Sequence, residues 1–566
     1  MSIAHFGLGI LLIVVGMCWA EQAASAEASA QNDARARRFI QRYEQTVRPL
    51  EIDVARRWWD ANISGSAEDY RLKEEAETRL EMALADREAF AEVKAIREGP
   101  LGDAQLARQI HVLYLQYLAR QVDPELLKKI LAKSNAVERQ FNVYRARVDG
   151  KELTDNEVRR ILRESKDSAL RQAVWEASKQ VGRVIEPGLR ELVRLRNQAA
   201  ARLGFPNYHV MQLYLGEQSQ EQVLRLFDEL DRLTREPFRA VKREIDAALA
   251  KDYGLRVSQL RPWHYHDPFF QEAPTVFPQE MEAVYAAVDI LRVCREFYAG
   301  IGLPVDNVLA RSDLYEKKGK NPHAFCLDMD RAGDVRVLAN IVPNRQWLST
   351  MLHELGHAVY TSQNMPAELP YALRTDSHPL TTEGVAMMFE RFTTNADWLR
   401  AMGVRVPDPH HFNRLAAKMR RQQLLIFSRW CQVMFRFEKA LYENPEQDLN
   451  RLWWELVERY QELVRPEGRN APDYAAKIHI VSAPAYYHNY MLGEMFASQV
   501  HRTICSEVLK SADPQGAIYA GNRAVGEFMR KRVFAPGRSL DWNQLARHAT
   551  GEELSAKAFA ADFQGK

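Results

Sequence analysis

The chain has 566 residues, of which 46% are hydrophobic and 10% aromatic, enough to build a substantial core. Its 77 basic and 75 acidic residues leave a net charge of +2, which gives no electrostatic basis for binding nucleic acid or an anionic membrane. After the N-terminal segment, no stretch reaches the roughly 18 consecutive apolar residues needed to span a bilayer.

The N-terminus has the pattern of a secretory signal peptide, because the apolar segment Phe6–Val15 precedes small residues. The small residues suited to cleavage are Ala20, Ala24 and Ala26. We expect residues 1–26 to be removed and residues 27–566 to be exported, to the periplasm or outside the cell, without stable membrane insertion. An uncleaved anchor is the alternative, and Cys18 also allows a lipoprotein.

Most of the remaining chain has the three- and four-residue apolar spacing of helices. The predicted helical segments are 34–84 (broken at 63–66), 104–120, 124–148, 154–182, 183–203, 219–252, 279–301, 384–443, 449–463 and 486–508. Only residues 324–341 have strand character, as a hairpin around Gly333, and Asn344 then caps another helix. The cysteines after the signal peptide allow one or two optional disulfides: Cys294, Cys326, Cys431 and Cys505.

Candidate metal-binding residues occur on the helix that follows Asn344. His353 and His357 are four residues apart and so share one helix face, where two imidazoles can hold one Zn²⁺. Glu354 beside them can accept a proton from water. Because the flanking residues are apolar, the helix should be buried, and buried polar groups of this kind need partners. The pattern predicts a zinc peptidase.

A third ligand should come from a neighbouring helix. Glu383 begins the next predicted helix and is the first candidate. Glu390, two turns further along that helix, is the alternative, and spacing alone does not choose between them.

Residues 474–490 are the candidate source of groups that stabilise an oxyanion, since they cluster Lys477, two histidines and four tyrosines around a proline. Tyr487 and Tyr490 are three residues apart and share a helix face. The alternative is an aromatic helix face that packs in the core.

Several motifs scattered over most of the chain are similar to one known family. They are Trp58-Trp-Asp-Ala-Asn62-Ile-Ser, Arg196–Phe205, Pro322-His-Ala324, Trp453-Trp454 with Tyr460-Gln461, and Ala476–Ile480. In these motifs the chain resembles the angiotensin-converting-enzyme family of zinc peptidyl-dipeptidases, in a bacterial single-domain form. It shares the broader gluzincin pattern with thimet-type oligopeptidases. The expected fold is mainly α, with two helical lobes around a deep central cleft and one small β-sheet beside the metal-binding helix, in a single catalytic domain.

The resemblance implies a ligand set and catalytic groups. His353, His357 and Glu383 would bind one zinc ion per chain, and Glu354 would act as general base and then as acid. The oxyanion donors would be His479 and Tyr490, with Tyr487 as the competitor of Tyr490.

The resemblance also implies how a peptide substrate binds. His323 and Ala324 would lie on an edge strand that pairs with the substrate backbone. The residues expected to line a pocket for a free C-terminal carboxylate are Gln271, Lys477 and Tyr487. Such a pocket, two residues beyond the scissile bond, would release C-terminal dipeptides. The alternatives are a thimet-type endo-oligopeptidase and an inactive peptide-binding scaffold.

The chain departs from the family pattern at three aligned positions. Val457 and Asn489 stand where the family has the arginines of its two chloride sites, which argues against chloride activation. Met387 stands where the family has an aspartate that supports a metal ligand, so another group must take that role. Asp376 is a candidate for it.

Overall fold

Helices form most of the structure, a computed structural model that describes residues 4–274 and 279–563. The first thirteen helices are α1 (Ala4–Thr46), α2 (Arg48–Ser64), α3 (Ala67–Leu84), α4 (Arg87–Glu98), α5 (Ala104–Ala119), α6 (Pro124–Val143), α7 (Asp155–Glu164), α8 (Ser168–Arg202), α9 (Tyr208–Leu215), α10 (Gln220–Tyr253), α11 (Gln279–Glu282), α12 (Ile290–Gly300) and α13 (Asp306–Arg311). The others are α14 (Arg345–Val359), α15 (Pro379–Glu390), α16 (Ala396–Ala401), α17 (Pro409–Glu443), α18 (Leu449–Gln461), α19 (His479–Ser482), α20 (His488–Thr503), α21 (Arg523–Phe528), α22 (Trp542–Thr550) and α23 (Lys557–Ala561). The prediction of a mainly helical fold is confirmed.

Local signals set several helix ends. The predicted break at 63–66 is confirmed: α2 ends at Gly65, which has the left-handed conformation (φ 63°), and the Ser66 hydroxyl accepts from Asp69 N to start α3. Gly65 also lies against the loop before the hairpin, because a Cβ at this position would be 2.0 Å from Gly319 O. This contact joins the end of α2 to that loop.

Several predicted helical segments have different boundaries in the structure, and two of them show why. α8 continues through the predicted junction at 182–183, because Gly182 packs against another segment and does not break the helix; a Cβ there would be 2.3 Å from Pro472 O. The predicted helix 384–443 is instead divided into α15, α16 and α17. Asn395 and Asp408 provide new N-caps for α16 and α17, so each helix restarts after a loop.

The expectation of a single small sheet is wrong, since two hairpins are present. Strands β1 (Ala146–Val148) and β2 (Lys151–Leu153) pair where the helix predicted over 124–148 has already ended. Asp149 and Gly150 connect them with positive φ angles of 51° and 78°, the conformation that an Asp-Gly hairpin turn requires. That dipeptide was the sequence signal for this hairpin.

The second hairpin is the predicted one and is confirmed. Strand β3 (Phe325–Asp328) is antiparallel to β4 (Val335–Leu338), with Phe325 opposite Leu338. On its other side β4 bonds to Asp313, whereas β3 has no second strand partner among the described residues. β3 therefore presents a free edge.

Three helices at the centre hold the sheet and each other. α14 packs against β3 and α15, and α15 packs along α20. The α15–α20 crossing is very close, since a Cβ at Gly384 would lie 2.7 Å from Gly493 O. The large core surrounds these helices, and a second, separate core lies under α1, α4 and α5.

All four cysteines after the predicted signal peptide are free, so neither optional disulfide is present. No helix in the described part of the chain is both long and apolar enough to cross a membrane. Residues 1–3 of the predicted signal peptide lie outside the described residues. The other residues belong to α1, and removal of the peptide stays a prediction.

Candidate zinc site

α14 places the two histidines side by side. Asn344 caps the helix by accepting from Trp347 N at 2.8 Å, and apolar residues such as Leu352 bury one face. His353 and His357 lie on the opposite face, with their Nε2 atoms 3.0 Å apart. Burial, together with His353, lowers the pKa of His357 well below its usual value, which keeps its imidazole in the neutral form that binds metal.

α15 brings a carboxylate to the same point. A Glu383 oxygen lies 3.6 Å from His353 Nε2, and one ligand atom each from His353, His357 and Glu383 all lie within 4.8 Å of one another. The structure thus brings the three predicted ligands together.

The outer ring nitrogens of both histidines have their own partners. His353 Nδ1 lies 2.8 Å from a Glu390 carboxylate oxygen, and His357 Nδ1 lies 2.7 Å from Thr382 Oγ1. Contacts of this kind fix the ring orientation and leave Nε2 free for a metal. Two Nε2 atoms and a carboxylate converge at one point, and this donor set fits zinc.

These contacts distinguish the positions of the two carboxylates that the sequence left open, Glu383 and Glu390. Glu390 contacts the outer nitrogen of His353 and so lies behind the histidine. The suggestion that Asp376 supports a ligand is wrong. The Asp376 carboxylate accepts a hydrogen bond from Thr375 Oγ1. The Nδ1 atoms of His353 and His357 contact Glu390 and Thr382 instead. Thr382 was missed because a hydroxyl beside a candidate ligand carries no distinctive sequence signal.

Glu354 points from α14 toward β3. The backbone N–H of Cys326 donates to its carboxylate, and only 8% of the residue is exposed. Burial raises the pKa of the Glu354 carboxyl to about 7. The side chain is therefore held beside the histidines by the edge strand itself.

The aromatic segment of residues 474–490 leads into α20, the helix that packs along α15. The rings of His479 and Tyr487 are 5.1 Å apart, and those of Tyr487 and Tyr490 are 5.4 Å apart. Burial and then the Glu383 carboxylate raise the pKa of Tyr490, so its phenol keeps its proton. Burial and then Lys477 lower the pKa of His479 to about 4, and its buried Nδ1 has no hydrogen-bond partner among the described residues.

The three residues expected to bind a terminal carboxylate are also together. Lys477 Nζ donates to Gln271 Oε1 at 2.6 Å and lies 5.4 Å from the Tyr487 ring centroid. Asp267 fixes Gln271 by accepting from its backbone N–H at 3.0 Å. Burial lowers the pKa of Lys477 to about 8. One cation and two neutral side chains thus lie together.

His323 and Ala324 immediately precede β3, and His323 is exposed at the start of the free edge. At the two aligned chloride positions, Val457 is in the core and Asn489 Oδ1 accepts from Gln218 Nε2 at 2.9 Å.

The side chain of Trp58 on α2 covers Phe325, the first residue of β3, and the two ring centroids are 4.3 Å apart. The N-terminal helices therefore reach the edge strand.

Comparison with known proteins gives one family. The family model described as angiotensin-converting enzyme (Peptidase_M2) matches residues 30–565. Angiotensin-converting enzyme-like protein Ace3 of Mus musculus is 22% identical, covering 94% of this chain and 76% of that protein. Angiotensin-converting enzymes of Rattus norvegicus and Oryctolagus cuniculus are 24% and 22% identical over 72% and 94% of this chain. The match covers 33% of the Rattus norvegicus protein and 43% of the Oryctolagus cuniculus protein, which is less than half of each.

Proposed function

Because the chain belongs to the angiotensin-converting-enzyme family of peptidases, we propose that it is a zinc metallopeptidase that releases C-terminal dipeptides from short peptides. The observation that carries this proposal is the convergence of His353, His357 and Glu383 beside the buried Glu354.

Zinc bound by His353, His357 and Glu383 would lower the pKa of a water molecule and polarise the scissile carbonyl. Glu354 accepts the proton of that water and then delivers it to the leaving amine. The position of Glu354 supports both roles, because Cys326 N–H fixes the carboxylate between the ligand histidine and the edge strand that would carry the substrate.

Tyr490 and His479 stabilise the oxyanion of the tetrahedral intermediate by donating hydrogen bonds to it. The choice of Tyr490 over Tyr487 is supported by their different surroundings. The Glu383 carboxylate raises the pKa of Tyr490, whereas the ring of Tyr487 contacts Lys477. The free edge of β3, with His323 and Ala324 before it, pairs with the substrate backbone.

The product length follows from the pocket of Gln271, Lys477 and Tyr487. An ammonium and neutral donors in a buried pocket suit a free carboxylate, which would fix the C-terminus of the peptide. Cleavage two residues before that terminus then gives a dipeptide. The substrates are peptides, and residues 27–566 act as one catalytic domain, exported after removal of residues 1–26.

Mass spectrometry of the products from a peptide library tests this function. We expect stepwise loss of C-terminal dipeptides, abolished by a chelator and restored by Zn²⁺. The Glu354→Gln protein should keep stoichiometric zinc and lose roughly 10²-fold or more in kcat, because it lacks the general base. Internal cuts of varied length would instead assign a thimet-type endopeptidase, and absence of zinc with no turnover would assign a binding scaffold.

A further inference from the structure

The segment between His479 and Tyr490, the two proposed oxyanion donors, contains a reversal that the proposed mechanism does not explain. α19 ends at Ser482, and α20 begins at His488. Between them Ala485 has a φ of 54°, in the left-handed region that residues other than glycine rarely adopt. Ala485 is also buried. A strained, buried residue keeps such a conformation only where surrounding contacts hold it there.

Glu438 on α17 makes the contact that holds this residue. Its carboxyl oxygen Oε1 accepts a hydrogen bond from the backbone N–H of Ala485 at 3.0 Å. Glu438 is 2% exposed, and in the described part of the chain this is the one hydrogen bond that its side chain makes. Without that oxygen the N–H of Ala485 would be buried without a partner, which is costly. The turn would then have to move.

Glu438 makes this contact as an acceptor, whatever its charge. Burial raises the pKa of the Glu438 carboxyl to about 8, and the Ala485 N–H and Arg196 oppose the rise. At pH 7 the neutral acid therefore predominates, and its carbonyl oxygen accepts from Ala485. A glutamine at this position has the same shape, the same charge and the same acceptor.

The turn also carries the rings that lie between the two donors. The Tyr487 ring centroid is 5.1 Å from that of His479 and 5.4 Å from that of Tyr490. The Tyr486 ring centroid is 5.4 Å from that of Tyr490, at 80°. A shift of the turn would therefore be passed to the donors through these rings as well as through the backbone.

The helices on either side of the turn have contacts of their own. Arg196 Nη2 donates to Val481 O of α19 at 2.8 Å. Gln218 Oε1 lies 2.7 Å from His488 Nε2 at the start of α20. Loss of the Glu438 carboxyl should therefore change the turn and leave both helices folded.

We propose that Glu438 is a positioning residue: by fixing the turn at Ala485, it sets the spacing of His479 and Tyr490 and so aims both hydrogen bonds at the oxyanion. The inference rests on the proposed function for the role of those two donors. Glu438 acts through the backbone of the turn.

Hydrogen exchange and steady-state kinetics of the zinc-loaded proteins at pH 7 test this role. Glu438→Met has a similar length and no acceptor for Ala485. We expect faster exchange within residues 479–490, and kcat lowered roughly 10- to 100-fold with KM changed by less than about twofold, because the donors act on the transition state. Glu438→Gln should keep the slow exchange and a kcat near that of the wild-type protein. Circular dichroism and zinc content report folding.

A glycine at the strained position tests the turn itself. In the Glu438→Met protein, Ala485→Gly should slow the exchange and recover part of kcat, because glycine adopts this φ without strain. Ala483→Gly in the same protein is the matched control, since Ala483 has a φ of −136° and no strain to relieve. It should recover nothing, and a recovery equal to that of Ala485→Gly would contradict the role of the turn.

Three results would overturn the role of Glu438. They are unchanged exchange or unchanged kcat in Glu438→Met, equal losses of kcat in the Met and Gln variants, and a rise in KM as large as the loss of kcat. Turnover of peptides by the wild-type protein is measured in parallel. If the wild-type protein cleaves no peptide while Glu438→Met still exchanges faster, the dipeptidase proposal alone fails and the hold of Glu438 on the turn stands.

Discussion

His353 and Glu390 are joined through the ring nitrogen that faces away from the predicted zinc position, at 2.8 Å. Glu390 stands one helical turn beyond Met387, where the family pattern places an aspartate. The supporting carboxylate is therefore present in this chain, but it comes from a different position of α15.

Removing that carboxylate should weaken metal binding. We expect Glu390→Ala to lower zinc affinity roughly 10- to 100-fold, because His353 loses the group that fixes its ring. Glu390→Gln should lose less, since its amide oxygen still accepts from Nδ1. Competition with a chelating dye measures both, with Glu221→Ala, an exposed residue of α10, as the control. Equal affinity of the Ala variant and the control would contradict the role.

Lys477 should matter only for peptides with a free C-terminus. We expect Lys477→Met to reduce kcat/KM for free peptides roughly 10- to 100-fold, because a charge-assisted hydrogen bond in a buried pocket is lost. Amidated versions of the same peptides should change by much less. Lys418→Met, on an exposed position of α17, is the matched control. Equal losses for free and amidated peptides would remove the carboxylate pocket from the mechanism.

A second buried lysine should make stability depend on pH. Lys179 is 3% exposed, its Nζ is 3.1 Å from the Phe269 ring centroid, and burial lowers its pKa to about 7. Asp473 and Asp267 oppose this shift, whereas Arg469 and Lys477 add to it. Between pH 7 and about 10.5 the unfolded chain holds a proton that the folded chain lacks, so stability rises with pH. Below pH 7 Lys179 is charged in the folded protein as well, and the full cost of burying that charge lowers the free energy of unfolding.

Replacing Lys179 with Met should remove that cost. We expect a gain on the order of 2 kcal/mol at pH 6 that shrinks by pH 9.5, with partial loss of the cation–π contact reducing it. Thermal unfolding of the metal-free proteins at pH 6, 8 and 9.5 measures the difference, and Lys251→Met on the exposed face of α10 serves as the control. A gain that is the same at all three pH values would show that the charge is not its cause.

Two glycines with the same backbone conformation should respond differently to alanine. Gly65 and Gly254 end α2 and α10 with φ of 63° and 64°. A Cβ at Gly254 meets nothing within 4 Å, so Gly254→Ala should cost only the strain of about 1 kcal/mol.

Gly65→Ala should cost clearly more, since its Cβ would lie 2.0 Å from Gly319 O and would separate α2 from the loop before β3. It should also raise KM, because Trp58 on α2 covers Phe325 at the edge strand. Urea unfolding and steady-state kinetics of both variants give the comparison. Equal losses of stability would mean that the contact with Gly319 does not hold α2 in place.

Local chemistry in the sequence was sufficient for much of the fold. The cap at Asn344, the break at Gly65 and the β3–β4 hairpin follow from residues that act within a few positions. The β1–β2 hairpin was also predictable from Asp149-Gly150, but the helical spacing of the preceding residues outweighed that signal. Gly182 shows the opposite case, because the contact that explains it lies on Pro472, far along the chain.

The residues of the site also fall into two groups: some could be placed from local sequence, and others depend on how the helices pack. The spacing of His353 and His357 follows from one helix, so the sequence alone could place them together. Glu383 and Glu390 are on one helix, and the crossing of α14 and α15 decides which of them faces Nε2 of His353 and which contacts Nδ1. Tyr486 and Tyr487 are likewise indistinguishable by residue type, and the left-handed Ala485 separates their neighbours.

The contact between Gly384 and Gly493 couples the two halves of the chemistry mechanically. Glu383 is next to one glycine and Tyr490 is one turn before the other, and the helices touch with no side chain between them. A displacement of α15 is therefore transmitted to α20 without slack. We therefore expect the spacing between Glu383 and Tyr490 to stay nearly constant when either helix moves.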